Sequence, residues 1–238
     1  MITMPMGQAI AGYRVGVIYI EDVWYPLVPG NVVNASTFDF PVRLAPVHIS
    51  IPSLFGTDSV DVFDAVMEAC LQLKREGVWA ISSACGFFGK YQARVREALG
   101  MPVALSSLVQ IPWIRALVPG RIGVLTADSS SFDAELLAAC GVFDSSELEV
   151  AGLQDAPEFS AILEGRGSFD NDVVRQEVVD AALSLDLDGV GAILLECSDM
   201  PPYASAIQQA TGKPVFDFTT LIRYLHTAVA QRAYSGFI

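Results

Sequence analysis

The sequence predicts an α/β protein of two pseudosymmetric Rossmann-like lobes, each a parallel sheet with flanking helices, with the active site in the cleft between them. Three observations predict it. Strand-like and helix-like stretches alternate along the 238-residue chain, the pattern of parallel sheets covered by helices on both faces. The chain also repeats itself: Arg14-Val15-Gly16-Val17 returns as Arg121-Ile122-Gly123-Val124, and the Ala-x-Gly-x-Pro-Val pattern of Ala98 to Val103 returns from Ala210 to Val215. Finally, Cys85 and Cys197 lie as far apart as Ala98 and Ala210, so the two cysteines hold equivalent places in two related halves.

Taken in order, Arg14 to Ile20 reads as a strand and Val42 to Ile51 as a second. Val60 to Glu76 is an amphipathic helix, with Val62, Val66, Cys70 and Leu73 in one stripe, and Val78 to Ser82 is a buried strand. The helix Lys90 to Leu99 is stopped by Gly100 at its C-terminal cap and by Pro102 just beyond. The second half repeats this plan with strand Ile122 to Thr126, helix Phe132 to Ala139, helix Asp172 to Leu185, strand Val190 to Leu195 and helix Pro202 to Thr211. Gly212 and Pro214 end that last helix in the same way. The Pro-containing stretch Ile111 to Arg121 marks the boundary, which gives lobes of residues 1–112 and 113–220. Residues 221–233 are apolar on one face and are expected to pack back on the first lobe.

Composition excludes several function classes. The formal charge is −13 with only 14 Lys plus Arg, and these are scattered, so no basic stripe exists for a nucleic acid. No apolar run reaches the roughly 18 residues of a membrane-spanning helix, and the opening MITMPMGQAIAGY lacks a cationic segment, so a soluble, cytoplasmic protein is expected. Hydrophobic residues at 52% against 17% charged suggest surface buried against a partner subunit, hence a homo-oligomer. Cysteines at 70, 85, 140 and 197 form no CxxC pair, and His48 and His226 are the only histidines, so neither a metal site nor a disulfide framework is suggested.

In open parallel sheets, ligands bind beyond the carboxyl ends of the strands, where loops lead into helix N-termini. Cys85 and Cys197 both follow such strand ends, while Cys70 and Cys140 sit in apolar stripes and read as core. Free backbone N–H groups at those ends favour a thiolate and an anion, and Gly86 lets the backbone turn close to a ligand. Two lobes facing each other would place one sulfur on each side of a small molecule. That geometry removes a proton from one face of a carbon and returns one to the other, as in racemisation. The substrate then carries a carboxylate or similar group beside the carbon, whose developing charge the amides can stabilise.

At these residues the chain resembles the aspartate/glutamate/hydantoin racemase superfamily. Cys197-Ser198-Asp199-Met200-Pro201 is similar to the Cys-Thr-Glu-Ile-Pro motif of aspartate racemases. The resemblance implies two lobes with one cysteine from each, no cofactor, and racemase or epimerase activity on a small carboxylate or hydantoin-like substrate. It makes Cys197 and Cys85 the acid/base pair, Ser198 a holder of the substrate's carboxylate or amine, and Asp199 a residue that orients the site. The first motif departs from the family: Cys85-Gly86-Phe87 stands where amino-acid racemases show Cys-Asn-Thr, so amides of Gly86 and Phe87 are expected to replace the missing side chains. The stretch GVWAISSACGFFGKYQ is also similar to arylmalonate decarboxylases, which carry only the second-lobe cysteine. A decarboxylase or a cis–trans isomerase using one cysteine is therefore the alternative, and a two-lobed binding protein without turnover is the reading from another class.

Ser82 and Ser83 precede the first cysteine and could donate to substrate oxygens, or satisfy a backbone group. Thr126 and Asp128 end the strand that opens the second lobe, where the family places a substrate-binding hydroxyl. Glu21 and Asp22 read as a solvated loop, Trp24, Tyr25, Phe87, Phe88 and Tyr91 as core or an apolar cleft wall, and Arg43 as a carboxylate clamp.

Overall fold

The computed structural model describes residues 8–55 and 61–236. Two four-stranded, all-parallel sheets form its frame. The first has the order β2-β1-β3-β4, from β1 (Val15–Asp22), β2 (Val42–Ser50), β3 (Ala80–Ser83) and β4 (Val103–Ala104). The second repeats that order as β6-β5-β7-β8, from β5 (Arg121–Thr126), β6 (Leu148–Gly152), β7 (Val190–Leu195) and β8 (Val215–Phe216).

The repeated Arg-x-Gly-Val openings have a packing cause. A side chain at Gly16 would come within 2.7 Å of Leu73 on α1 (Val62–Arg75), and one at Gly123 within 2.5 Å of Leu185. Each glycine lets an apolar side chain of a neighbouring segment lie directly on its strand. The helix α1 begins at an Asp61 cap whose carboxylate accepts from the Phe63 and Asp64 amides, so it starts later than the expected Val60, a residue outside those described. It buries Val62, Val66, Cys70 and Leu73, the stripe read from the sequence.

Helices α2 (Gln92–Leu99) and, later in the chain, the helix Ala204–Thr211 both end on a left-handed glycine, Gly100 at φ +60° and Gly212 at φ +68°. Both are shorter than expected because a 3₁₀ turn precedes each: Gly86–Tyr91 before the first and Pro201–Tyr203 before the second. The stretch read as a Pro-containing link instead forms α3 (Ile111–Leu117), which accepts Pro112 in its first turn where no intrahelical N–H is needed. Chain order continues with α4 (Ala134–Ala139), α5 (Ala161–Glu164), α6 (Asn171–Leu183), α7 (Ala204–Thr211) and α8 (Phe218–Val229).

One apolar core runs across both sheets, joining Ile18, Ile81 and Leu105 to Ile122, Val124, Ala192 and Leu194. The outer face of the second sheet packs on α6 and α7 through Leu195, Val174, Val178 and Ile207. Phe218, Leu221, Ile222 and Leu225 of α8 lie on Val15, Val17, Ala80 and Ala104 of the first sheet. Among the described residues no helix is long and apolar enough to cross a membrane.

Candidate active site

The strands β3 and β7 stop at Ser83 and Leu195, and a cysteine follows each within two residues. Both thiols reach one cavity of about 320 Å³ between the sheets, lined also by Tyr19, Tyr25, Phe87, Glu196 and Asp199. Cys85 and Cys197 are each 9% exposed, so they touch the cavity and little else of the solvent. All four cysteines of the chain are free.

The two cysteine loops are tied together across the lobes. The Ser198 hydroxyl donates to Ala84 O at 2.7 Å, and Ser107 donates to Leu195 O at 2.8 Å. Ser83 donates to Cys85 O at 2.9 Å and to Leu105 O at 2.5 Å, and accepts from the Cys85 amide at 3.2 Å. Ser82 donates to Ala104 O at 2.8 Å. Both serines are fully buried and outside the cavity lining, so the structure places them under the Cys85 loop, not against a ligand.

Electrostatics run opposite to the expected positive field. The turns after the cysteines are short, and the carboxyl groups of Glu196 and Asp199 act on both thiols. Burial pushes the Cys85 thiol up to about 12, with Glu196 adding to the rise, while the amides of Phe87 and Phe88 pull it back. Burial raises Cys197 well above the ordinary thiol range too, with Asp199 and Glu196 adding to it and the Asp199 amide opposing. Cys197 Sγ lies 3.6 Å from Asp199 Oδ2, a thiol–carboxylate hydrogen bond. Burial lifts Asp199 itself to about 6, against the bonds it accepts from Tyr25, Cys197, Asn31 and Ser198.

Of the residues singled out in the sequence, Cys85, Gly86, Phe87, Cys197, Ser198 and Asp199 come together at the cavity. Thr126 does not line it: its hydroxyl donates to Glu196 Oε2 at 2.9 Å. Asp128 caps the turn Ser129–Ser131 and borders a separate, open depression. Arg43 is no clamp, because it pairs with Glu76 at 2.5 Å at the end of α1. Glu21, read as a solvated loop residue, lines the cavity rim and pairs with His48 at 2.6 Å. Of the aromatic cluster, Tyr25 and Phe87 form cavity wall, Phe88 is core, and Trp24 is 73% exposed.

Two residues were missed, Asn31 and Glu196. The segment between β1 and β2 crosses to the other lobe, where the Asn31 side-chain amide donates to Asp199 Oδ1 and the Tyr25 hydroxyl to Oδ2 at 3.1 Å. That loop has no periodicity to read. Glu196 did leave a signal, a lone charge closing an otherwise apolar strand, and it is 1% exposed.

The two parallel-sheet lobes bring one thiol each to a shared, carboxyl-bearing cavity. The chain belongs to the Asp/Glu/Hydantoin racemase family, whose model matches residues 45–222. Among solved structures it is similar to allantoin racemase from Pseudomonas fluorescens (TM-score 0.58, 16% identity, covering 94% of this chain and 99% of that one). It is also similar to unliganded arylmalonate decarboxylase (TM-score 0.55, 18% identity, covering 93% and 94%). Among curated proteins, a dimethylsulfoniopropionate lyase of Durusdinium sp. clade D is 30% identical over 217 residues, covering 85% of this chain and 70% of that protein. Dimethylsulfoniopropionate lyase 6 of Emiliania huxleyi (strain CCMP1516) is 33% identical over 219 residues, covering 86% of this chain. The matched region spans 57% of the length of that second protein.

Proposed function

We propose that the chain is a lyase that removes the α-proton of a small zwitterionic carboxylate and expels a sulfonium group from the β-carbon, with dimethylsulfoniopropionate as its substrate. One observation carries this reading. The cavity that holds both thiols is lined by Tyr19, Tyr25 and Phe87 and by the carboxyl groups of Glu21, Glu196 and Asp199, and, among the described residues, by no lysine, arginine or histidine. Such a site suits a ligand cation, which aromatic faces and carboxylates attract. A second substrate carboxylate, as in aspartate or glutamate, has no side-chain cation to meet it there. The likeness to curated dimethylsulfoniopropionate lyases supports the same choice.

The chemistry balances without oxidant or reductant. A thiolate takes a proton from the carbon beside the carboxylate, and the electron pair left behind forms the double bond to the β-carbon. The carbon–sulfur bond breaks with its pair going to sulfur, which releases dimethyl sulfide and acrylate, and the thiol then returns its proton to solvent. Cys197 is the base in this reading, since Asp199 beside it can accept its proton. Burial and the neighbouring carboxyl groups disfavour a thiolate, but a bound sulfonium brings positive charge beside the thiol, and a nearby opposite charge lowers a thiol's pKa.

Headspace gas chromatography with dimethylsulfoniopropionate tests the reading. The wild type should release dimethyl sulfide, and Cys197→Ser should lower the rate by about 100-fold or more. A wild type that releases none refutes it. The second reading, two-base racemisation, is favoured by the second thiol, Cys85, on the same cavity. It requires α-proton exchange with inversion of a chiral carboxylate, and no gas.

A further inference from the structure

The cavity is larger and more apolar than its reacting end requires. A volume of about 320 Å³ falls in the range of ~300–1,000 Å³ that holds drug-sized ligands, whereas dimethylsulfoniopropionate has about eight non-hydrogen atoms. The excess has a direction. In the sheet order β2-β1-β3-β4, Cys85 follows β3, Tyr19 and Glu21 lie on the neighbouring β1, and Leu44 lies on β2. All four line the cavity, which therefore runs from the thiols across two strand spacings, or ~10 Å. Toward β2 its wall is hydrocarbon: Leu44 with Val33 beside it on the same core, Ile51 and Leu54 just past the strand, and Leu163 of α5 from the second lobe. Ile51 and Leu163 also border the open depression beside Asp128, so this arm is open at its tip.

An elimination substrate lies with its α-carbon at a thiol, its carboxylate to one side and its sulfonium to the other. A carboxylate loses its hydration against hydrocarbon walls, so the groups on sulfur are the part that points into the arm. We propose that the arm is a binding site for an alkyl chain on sulfur, which makes β-sulfonium carboxylates bearing a longer S-alkyl group substrates of this chain. The proposal rests on the α-proton-removal reading above. The bonds made and broken are the same: the α-proton goes to Cys197, its electron pair forms the double bond of acrylate, and the carbon–sulfur pair leaves with a dialkyl sulfide. Each methylene laid against the arm is removed from water, a stabilisation that two S-methyl groups are too short to collect. Because the chain stays in place as the bonds change, the effect falls on KM and kcat/KM more than on kcat.

The test compares dimethylsulfoniopropionate with its S-butyl homologue, 3-(butylmethylsulfonio)propionate. Two probes of the same charge, 3-(trimethylammonio)propionate and 3-(butyldimethylammonio)propionate, carry an amine that leaves poorly and so report binding alone. Calorimetry should show the butyl probe bound at least about tenfold tighter than the trimethyl probe, from about threefold per buried methylene. Headspace gas chromatography should show butyl methyl sulfide released with a kcat/KM at least about tenfold above that for dimethyl sulfide. Leu44→Trp, which fills the arm from β2, should bring both butyl-to-methyl ratios down to about one or below. Leu163→Trp fills it from the second lobe at a half-buried position, and gives the same comparison where the β2 variant does not fold. A butyl probe that the wild type binds no tighter than the trimethyl probe overturns the proposal, and so do ratios that both tryptophan variants leave unchanged. Tight binding of the S-butyl homologue without its cleavage, while dimethylsulfoniopropionate is cleaved, overturns the substrate claim. If calorimetry shows the butyl preference but neither sulfonium releases a sulfide, the elimination reading fails, while the arm's preference for an alkyl chain beside a cation stands.

Discussion

Glu196 shows how a single buried carboxyl makes stability depend on pH. Its folded value of about 7 stands above the ordinary 4.5, so the folded state holds a proton that the unfolded chain releases earlier. The contribution is fully present below about 4.5 and is lost as pH rises through about 7. Over that window the wild type should lose on the order of 2–3 kcal/mol from this group, superposed on a smaller loss from Asp199, whose value is about 6. Urea unfolding as a function of pH checks this: E196Q should flatten the decline between pH 5 and 7 by about that amount, and an unchanged slope would contradict it. At this scale the sequence showed the cysteine pair, because equivalent positions in a repeat are visible in the chain. It did not show the sign of the local field, which comes from carboxyl groups brought in by folding.

The loop between β1 and β2 is the element that completes the second-lobe site from the first lobe. Asn31 is 3% exposed and gives its amide to Asp199, while Tyr25 covers the other oxygen of the same carboxylate. Asn31→Ala leaves Asp199 short of a buried donor, so stability should fall by about 1–3 kcal/mol in urea and kcat/KM by about tenfold. Tertiary crossing of this kind has no signature in local pattern. The long helices and the strand β7 were legible because their periodicity and caps are local, and Val190–Leu195 was read to the residue. β4 and β8 have two residues each, too few for any period, and β6 is a half-buried edge strand with weak alternation. The last residues of the 3₁₀ turns Gly86–Tyr91 and Pro201–Tyr203, from Lys90 and from Pro202, were read as the start of the helices that follow, since helix and 3₁₀ turn differ little in composition.

For the molecule as a whole, two sheets of identical order set two strand ends, and therefore two thiols, against one cavity. Shared apolar packing and the Ser198–Ala84 and Ser107–Leu195 hydrogen bonds hold the halves in register. The repeat in the sequence carried this symmetry, but the elimination proposed above depends on what breaks it. Asp199 and Glu196 both belong to the second-lobe loop, and neither has a carboxyl counterpart at Ser83, Ala84, Gly86 or Phe87. A symmetric pair of bases suits racemisation, whereas one thiol beside a proton-accepting carboxylate suits elimination. Proton NMR of dimethylsulfoniopropionate incubated with the enzyme in deuterated water tests this account most directly. We predict acrylate and dimethyl sulfide in equal amounts with the wild type and neither with the Cys85→Ser/Cys197→Ser double variant; recovery of the substrate intact, with its α-hydrogens at full intensity, would contradict it.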